Sequence, residues 1–358
     1  MQRAVGEDER ASIGRIDTKR TTHRRVVVSH RGGPEVLEVV EEALPRPEPG
    51  EIRVRTLAAG ISGMDLMVRS RRFPGFPRVP FTPGVDVVGV VDELGAGVSG
   101  IEPGETVAAL LGHAGGYAEH VCVPVERAVP VPSGVDPAEA SCVVTNHLTA
   151  YTMMHRVAEV KPGHRILIQG AGGGVGTALL ELGRLAGLEM YGTASPYNHD
   201  LVASYGATPI DYHTEDFVER VRELTGDGVD AVFDPIGGGR QLRRSYRALR
   251  KGGRLVWFGV AAQASQGIRV IPASLVTRLL LSLLPDGKKA PLAPDSGKPV
   301  AQYRETVAML FQRLADGELH PVVAERVPLD EAARAHEVLE RGGYAGRVVL
   351  VADGSREG

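Results

Sequence analysis

The stretch RILIQGAGGGVGTALLELGRLAG, residues 165–187, carries the strongest chemical signal in the chain. Apolar residues run into Gly170–Gly176, and Leu179, Leu182 and Ala186 then share one helical face. Glycines there permit a tight turn and let backbone approach a pyrophosphate, while the helix N-terminus offers N–H donors and a favourable dipole. Ala171 holds the first position of the glycine spacing when Gly173 and Gly176 are its second and third, and the place between strand and helix supplies the specificity. Asn146 and His147 in TNHLTAY form a second group. An imidazole there could act as an acid near neutral pH, or simply pack at the start of a helix. Ser62 and Asp65 lie in the small-residue run AAGISGMDL, where the serine faces a metal, a substrate or the wall of a pocket. Asp234 in FDPIGG ends a strand, where open α/β sheets gather their sites, although an Asp-Pro turn explains it equally well.

Cofactor choice rests on GTASPYNHD, residues 192–200. An NAD-binding chain places an acid at the end of this second strand to hold the ribose 2′-hydroxyl. Here Thr193 and Ser195 stand at the strand end, and no acid appears before Asp200. Without the carboxylate a 2′-phosphate is not repelled, which favours NADPH. No Lys or Arg lies in 193–200 to attract one, so NADH is not excluded, and Thr193 and Ser195 are equally compatible with capping a helix.

The elements that must position these residues follow from pattern. Residues 24–130 are β-rich: EIRVRTLAAG alternates, VDVVGVVDEL is a nearly continuous apolar run, and Gly and Pro punctuate both. From GHRILIQG onward, strands at RILIQ, EMYGTA, TPIDY, DAVFDP and RLVWFG alternate with helices, as in a parallel α/β sheet. The clearest helix is TEDFVERVRELTG, with Phe217, Val218, Val221 and Leu224 at helical spacing and Gly226 placed to end it. PDGKKAPLAPDSGKP, from residue 285, reads as a mobile loop, and a helix follows in QYRETVAMLFQRLADG.

Composition narrows the class. At 358 residues, with 43% hydrophobic and 24% charged residues, the chain is a globular protein with room for two cores. A net charge of −3 recommends neither nucleic acid nor an anionic membrane as partner. Cys122 and Cys142 are too few and too far apart for a zinc cluster or a disulfide framework, which suits a reducing cytoplasm. No run reaches the roughly 18–20 apolar residues of a membrane span. The greasiest segment, ASLVTRLLLSLL at 273–284, is interrupted by Arg278 and reads as a packing or dimer surface. The polar N-terminus lacks an apolar core and reads as a disordered leader rather than a signal peptide.

With these residues assembled, the chain resembles the medium-chain dehydrogenase/reductase superfamily from about residue 24 to 352. The likeness rests on GGPEVLEV, PGVDVVGVVDELGAGVSGIEPGETVAAL, GGYAEHV, and TNHLTAY followed by VKPGHRILIQGAGGGVG. Within the superfamily it is similar to the quinone oxidoreductase branch. Its motifs GTAS, PIDYHTEDF and GVDAVFDPIGG bring it nearest to vesicle-amine-transport protein homologues.

The resemblance implies an α/β fold with a GroES-like β-rich catalytic domain, a Rossmann doubly wound parallel sheet, a cleft between them and a homodimer. On that basis residues 1–22 are the leader, 23–145 the catalytic domain and 146–284 the cofactor domain. Residues 285–317 connect them, and 318–358 return to complete the catalytic domain. By matching positions, Asn146 and Thr149 lie near the nicotinamide, and Gly173, Gly174 and Val175 hold the pyrophosphate. Thr193, Ser195 and Asn198 border the adenosine phosphate, Tyr212 lies against the adenine, and Phe258, Gly259 and Val260 wall the nicotinamide. Asn198 stands where the quinone reductases commonly carry a phosphate-gripping Lys.

Zinc enzymes of the superfamily carry Cys in GICGSD and His in PGHE. Here Ser62 and Val85 hold those places, Asn146 falls near the third, and the four-cysteine structural lobe is missing, so no zinc is expected. Hydride delivery to a quinone or an α,β-unsaturated carbonyl needs no Lewis acid, and it makes Ser62, Asn146 and His147 the catalytic candidates. Related enoyl reductases often place a Tyr in the loop after the MDL helix. Phe73 stands there and cannot donate a proton, while Arg71, Arg72 and Arg78 could draw an anionic substrate or merely be solvated. His113 could line the cleft or sit in a surface turn. The expected function is a zinc-independent, NADPH-dependent reductase of a small molecule. The alternatives are a cofactor-retaining carrier or a biosynthetic enzyme working a non-redox step in the same cleft.

Overall fold

The computed structural model describes residues 21–70, 77–112, 114–259, 270–291, 293 and 297–352. Residues 1–20 of the expected leader, and the expectations placed on Arg71, Arg72, Phe73, His113 and Val260, lie outside the described residues, whereas Thr22 at the leader's end opens the first strand.

The alternating N-terminal runs build a hairpin and a seven-stranded sheet. β1 (Thr22–Val28) pairs antiparallel with β2 (Leu37–Ala43). β3 (Glu51–Gly60) leads into helix α1 (Gly63–Ser70), followed by β4 (Asp86–Leu94), β5 (Thr106–Leu110), β6 (His120–Pro124) and β7 (Val129–Pro130). β4 pairs with both β3 and β5, β5 also with β7, and β6 with β3.

Helix α2 (Pro137–Cys142) starts where sequence says a helix should. Asp136 accepts the N–H groups of Ala138 and Glu139, and Pro137 occupies the first helical position, where no N–H is needed. The chain then continues without a break through a π-helical turn (Val143–His147), α3 (Leu148–Tyr151) and a second π-helical turn (Thr152–Val157).

The five expected parallel strands are β8 (Arg165–Ile168), β9 (Glu189–Ala194), β10 (Thr208–Asp211), β11 (Val229–Asp234) and β12 (Leu249–Trp257), in the order β10-β9-β8-β11-β12. The crossovers are α4 (Gly174–Leu185), α5 (His199–Ser204), α6 (Phe217–Thr225) and α7 (Gly239–Arg247). Asp216 caps α6 by accepting from Val218 and Glu219, and Gly226 ends it at φ +80°. Phe217 and Val221 enter the core, whereas Leu224 in the last turn stays 38% exposed.

Helix α8 (Val270–Ser282) precedes the stretch expected as a mobile loop. That expectation is corrected at Lys289, whose N–H donates to the Gly253 carbonyl and whose own carbonyl accepts from Leu255. The segment extends the sheet beyond β12, because its backbone groups find partners on that edge. Helix α9 (Val300–Ala315) follows, then β13 (Val323–Pro328), α10 (Ala332–Arg341) and β14 (Arg347–Val351). β14 pairs parallel with β13 and antiparallel with β3, so the C-terminus joins the N-terminal sheet. The largest core cluster includes residues of both sheets, Ala58 and Val88 beside Ile166 and Phe233.

Candidate active site

The glycine loop is shaped by bonds at close quarters. Gly170 takes φ +66° and donates to Thr193 Oγ1 at 3.0 Å, and that hydroxyl donates in turn to Gln169 Oε1 at 2.8 Å. Ala171 N donates to the Thr193 carbonyl at 2.9 Å. A Cβ at Gly176 would lie 2.3 Å from the Gly170 carbonyl oxygen, so helix and loop can close only around a glycine. Two amides press on the same loop. A Cβ at Gly172 would meet Asn198 Nδ2 at 2.2 Å, and one at Gly174 would meet Asn146 Nδ2 at 2.5 Å.

Helix α4 begins at Gly174 with no side chain capping it. The first-turn N–H groups of a helix have no intrahelical acceptor, and here they carry a dipole suited to a pyrophosphate. Gly173, Gly174 and Val175 therefore fit a dinucleotide.

On the adenosine side, Ser195 Oγ and Tyr212 OH are 2.7 Å apart, with the Tyr212 ring half exposed. Ser195 caps no helix through its side chain. Asn198 Nδ2 donates to the Tyr344 carbonyl at 3.3 Å. Thr193 is buried and spends its hydroxyl on the loop, so it braces the phosphate turn rather than facing outward.

At the strand ends, Phe258 N donates to the Asp234 carbonyl at 3.1 Å, and a Cβ at Gly259 would lie 2.6 Å from the Pro235 carbonyl oxygen. Asp234 is fully buried, and burial pushes its carboxyl up from the ordinary value while bonds from Ser245, Gly237 and Ile236 hold it down. Its side-chain bonds shape the turn after β11, against which Phe258 and Gly259 lie.

Asn146 lies in the first π-helical turn, with its amide against Gly174 at the start of α4, and Thr149 lies on α3, which packs on α4. His147 is buried, with Nε2 at 2.9 Å from Glu181 Oε2 and Nδ1 at 3.4 Å from the Cys142 carbonyl. Glu181 also accepts from His320 N at 2.7 Å. With both ring nitrogens engaged, His147 fits a positioning role and not the acid first considered for it.

Ser62 Oγ donates to Asp65 Oδ2 at 2.7 Å, and Asp65 also accepts from the N–H groups of Ser62 and Gly84. Burial raises the Asp65 carboxyl, opposed by those three bonds. Val85 is apolar and buried. A hydroxyl committed to a neighbouring carboxylate and an isopropyl group do not fit a zinc ion. Among the described residues, no cluster of three or more His, Cys, Asp or Glu could hold a metal. Burial pushes the thiols of Cys142 and Cys122 up to about 12 and about 11, which removes them as thiolate nucleophiles.

Sequence reasoning missed a buried polar cluster that joins β14 and β4 of the N-terminal sheet to α2 and the π-helical turn after it. Arg347 donates to Asp86 Oδ2 at 2.5 Å and to the Ser141 carbonyl at 2.6 Å, with Asp86 and Arg347 both buried. Asp86 also accepts from Gly60 N, Ser141 Oγ and Thr145 Oγ1. One residue earlier, Gly346 N donates to the Gly172 carbonyl at 2.9 Å, tying β14 to the glycine loop. A buried Arg matched to a buried Asp is the kind of pair that sequence separation of this size hides.

Two family models match this architecture: the alcohol dehydrogenase GroES-like domain over residues 48–133 and the zinc-binding dehydrogenase over residues 205–350. The chain belongs to the medium-chain dehydrogenase/reductase superfamily. Among relatives of this reductase fold, quinone oxidoreductase of Lama guanicoe is 29% identical over 334 residues, covering 92% of this chain and 97% of the relative. Synaptic vesicle membrane protein VAT-1 homolog of Rattus norvegicus is 36% identical over 219 residues, covering 61% of this chain and 54% of the relative. The match thus spans about half the length of that relative. The crystal structure of Escherichia coli quinone oxidoreductase complexed with NADPH superposes with a TM-score of 0.82 at 29% identity, covering 92% of this chain and 99% of that one. The GroES-like plus Rossmann architecture rests on these likenesses together.

Proposed function

We propose that this oxidoreductase is a zinc-independent, NADPH-dependent reductase that delivers hydride to a quinone or an α,β-unsaturated carbonyl. The observation that carries the reading is a glycine loop and uncapped helix fitted to a dinucleotide, beside metal-ligand positions held by Ser62 and Val85. In the same reading, residues 23–145 and 318–358 form the catalytic domain and 146–284 the cofactor domain. The pairing of β14 with β3 supports that division.

The dinucleotide, when bound, supplies the hydride. The N–H groups of Gly173, Gly174 and Val175 receive its pyrophosphate, and Ser195, Asn198 and Tyr212 border its adenosine end. Asn146 and Thr149 orient the nicotinamide against the wall of Phe258 and Gly259. Glu181 and His147 hold the π-helical turn that carries Asn146. The quinone accepts the hydride and takes one proton from solvent, leaving NADP⁺ and a hydroquinone. A conjugated acceptor is already polarised, so this site needs no Lewis acid for it. Saturable NADPH oxidation across a panel of quinones and enones is the expected result. NADPH bound tightly but not turned over by any of them would overturn the reading.

A further inference from the structure

The π-helical turn at Val143–His147 is held from two directions. Thr145 Oγ1 donates to Asp86 Oδ2 at 2.5 Å, and Asp86 stands on β4 of the N-terminal sheet. The other bonds to Asp86, from Gly60 N, Ser141 Oγ and Arg347, fix that carboxylate in place. Two residues on, His147 Nε2 lies 2.9 Å from Glu181 Oε2, in α4 behind the glycine loop. The second oxygen of Glu181 accepts from His320 N at 2.7 Å. Both carboxylates are buried. Burying a carboxylate is costly unless several donors meet it, and among the donors of each is a residue of this one turn.

Between the two anchors sits an amide that neither of them uses. Asn146 is 7% exposed, and its side chain makes no hydrogen bond among the described residues. Buried amides ordinarily find partners, so one left free points to a group that is not part of the chain. Its place is set by Gly174, the first residue of the uncapped helix α4, where an added Cβ would lie 2.5 Å from Asn146 Nδ2. A dinucleotide on that helix end comes within reach of the amide. A π-helical turn is an uncommon departure from regular helix that recurs at functional sites. It is wider than an α-helical turn, so the aim of Asn146 depends on what holds its neighbours.

We infer that Asp86 and Glu181 are positioning residues for the reduction: gripping Thr145 and His147 on either side, they aim the free amide of Asn146 at the bound dinucleotide. The inference rests on the proposed reduction, which puts the nicotinamide at that amide, and extends it to two carboxylates that act at one remove. A purely structural role is the competing account. The two differ in what happens once the Asn146 amide is gone, because positioning acts only through that amide and stabilisation does not.

Thr145→Val removes the donor to Asp86 at nearly equal shape, and Thr145→Ser keeps it. Glu181→Gln turns one of two accepting oxygens into a donor, so it cannot serve both His147 and His320. Each is made in the wild-type and in the Asn146→Ala background, and read by thermal melts, NADPH titration, quinone-dependent turnover and the emission of bound NADPH. Thr145→Val and Glu181→Gln are expected to lower kcat by about tenfold to a hundredfold, while NADPH affinity stays within about tenfold. Thr145→Ser should retain the wild-type kcat. In the Asn146→Ala background neither Thr145→Val nor Glu181→Gln should lower kcat further, since the amide they aim is absent. The emission of bound NADPH should shift in both variants as it does in Asn146→Ala alone, and this readout needs no turnover. Losses of equal size in the two backgrounds, or a lower melting midpoint with kcat and emission unchanged, would overturn the inference. A wild type that oxidises NADPH with no quinone counts against the redox reading alone, and the emission then decides whether the anchors aim the amide.

Discussion

Gly176→Ala probes the cofactor cradle at its tightest point. The added Cβ would sit 2.3 Å from the Gly170 carbonyl oxygen and 2.7 Å from that of Ala171, where an ordinary Cβ contact begins at 3.4 Å. Both obstacles are backbone, so no rotamer change relieves them. Helix α4 and the loop must part by about 1 Å. Overpacking of this kind costs about 1–3 kcal/mol. The strain falls on the turn whose N–H groups receive the pyrophosphate, so NADPH affinity should drop roughly tenfold to a hundredfold. The thermal midpoint should fall by about 2–4 °C per kcal/mol. Gly174→Ala is the internal comparison, because its Cβ meets only the movable end of Asn146, with Nδ2 at 2.5 Å. That variant should bind NADPH within tenfold of the parent and lose turnover instead, as the amide is pushed aside. Calorimetric titration with NADPH and thermal melts read both. Wild-type affinity and melting in Gly176→Ala would refute the reasoning.

Arg347→Met strands the Asp86 carboxylate in the core and should cost about 3–5 kcal/mol in urea unfolding; a loss under 1 kcal/mol would show that the pair is not structurally needed. Burial, with a smaller push from Arg69, lowers His336 to about 3, against 6.5 for an ordinary imidazole. The unfolded chain therefore binds the proton first, so stability is full above pH 6.5 and falls toward pH 3 by up to about 1.4 kcal/mol per unit. His336→Asn should flatten that slope, and an unchanged pH profile would contradict it. Ser62→Ala removes one of three bonds to Asp65, and it should cost about 1 kcal/mol of stability. Substrate KM should shift modestly and NADPH affinity stay unchanged; loss of cofactor affinity would show that the stretch is misplaced.

Local chemistry made much of this fold legible. The parallel strands announce themselves as short apolar runs, and α6 is bracketed in sequence by its capping Asp216 and its terminating Gly226. The glycine loop is readable for the same reason, since a tight turn and a close helix demand the residue type directly. What pattern cannot show is long-range pairing. Asp86 and Arg347, 261 positions apart, look like an ordinary strand residue and a strand-opening cation until β4 and β14 come to flank β3 in one sheet. The π-helical turn that carries Asn146 has no sequence signature either, because TNHLTAY suits a regular helix equally well. Thr193 was legible as a polar strand end, but which way its hydroxyl turned depended on Gln169 and Gly170 across the loop. The stretch after Leu284 reads as a loop by composition, yet at Lys289 its backbone makes a single bridge to β12.

The central claim is hydride transfer from NADPH without zinc. Its most direct measurement is quinone-dependent NADPH oxidation by protein dialysed against a chelator and assayed for residual metal. The account predicts saturable oxidation, one NADPH per quinone reduced, at the same rate before and after metal removal. Activity lost on chelation and restored by added zinc would contradict it.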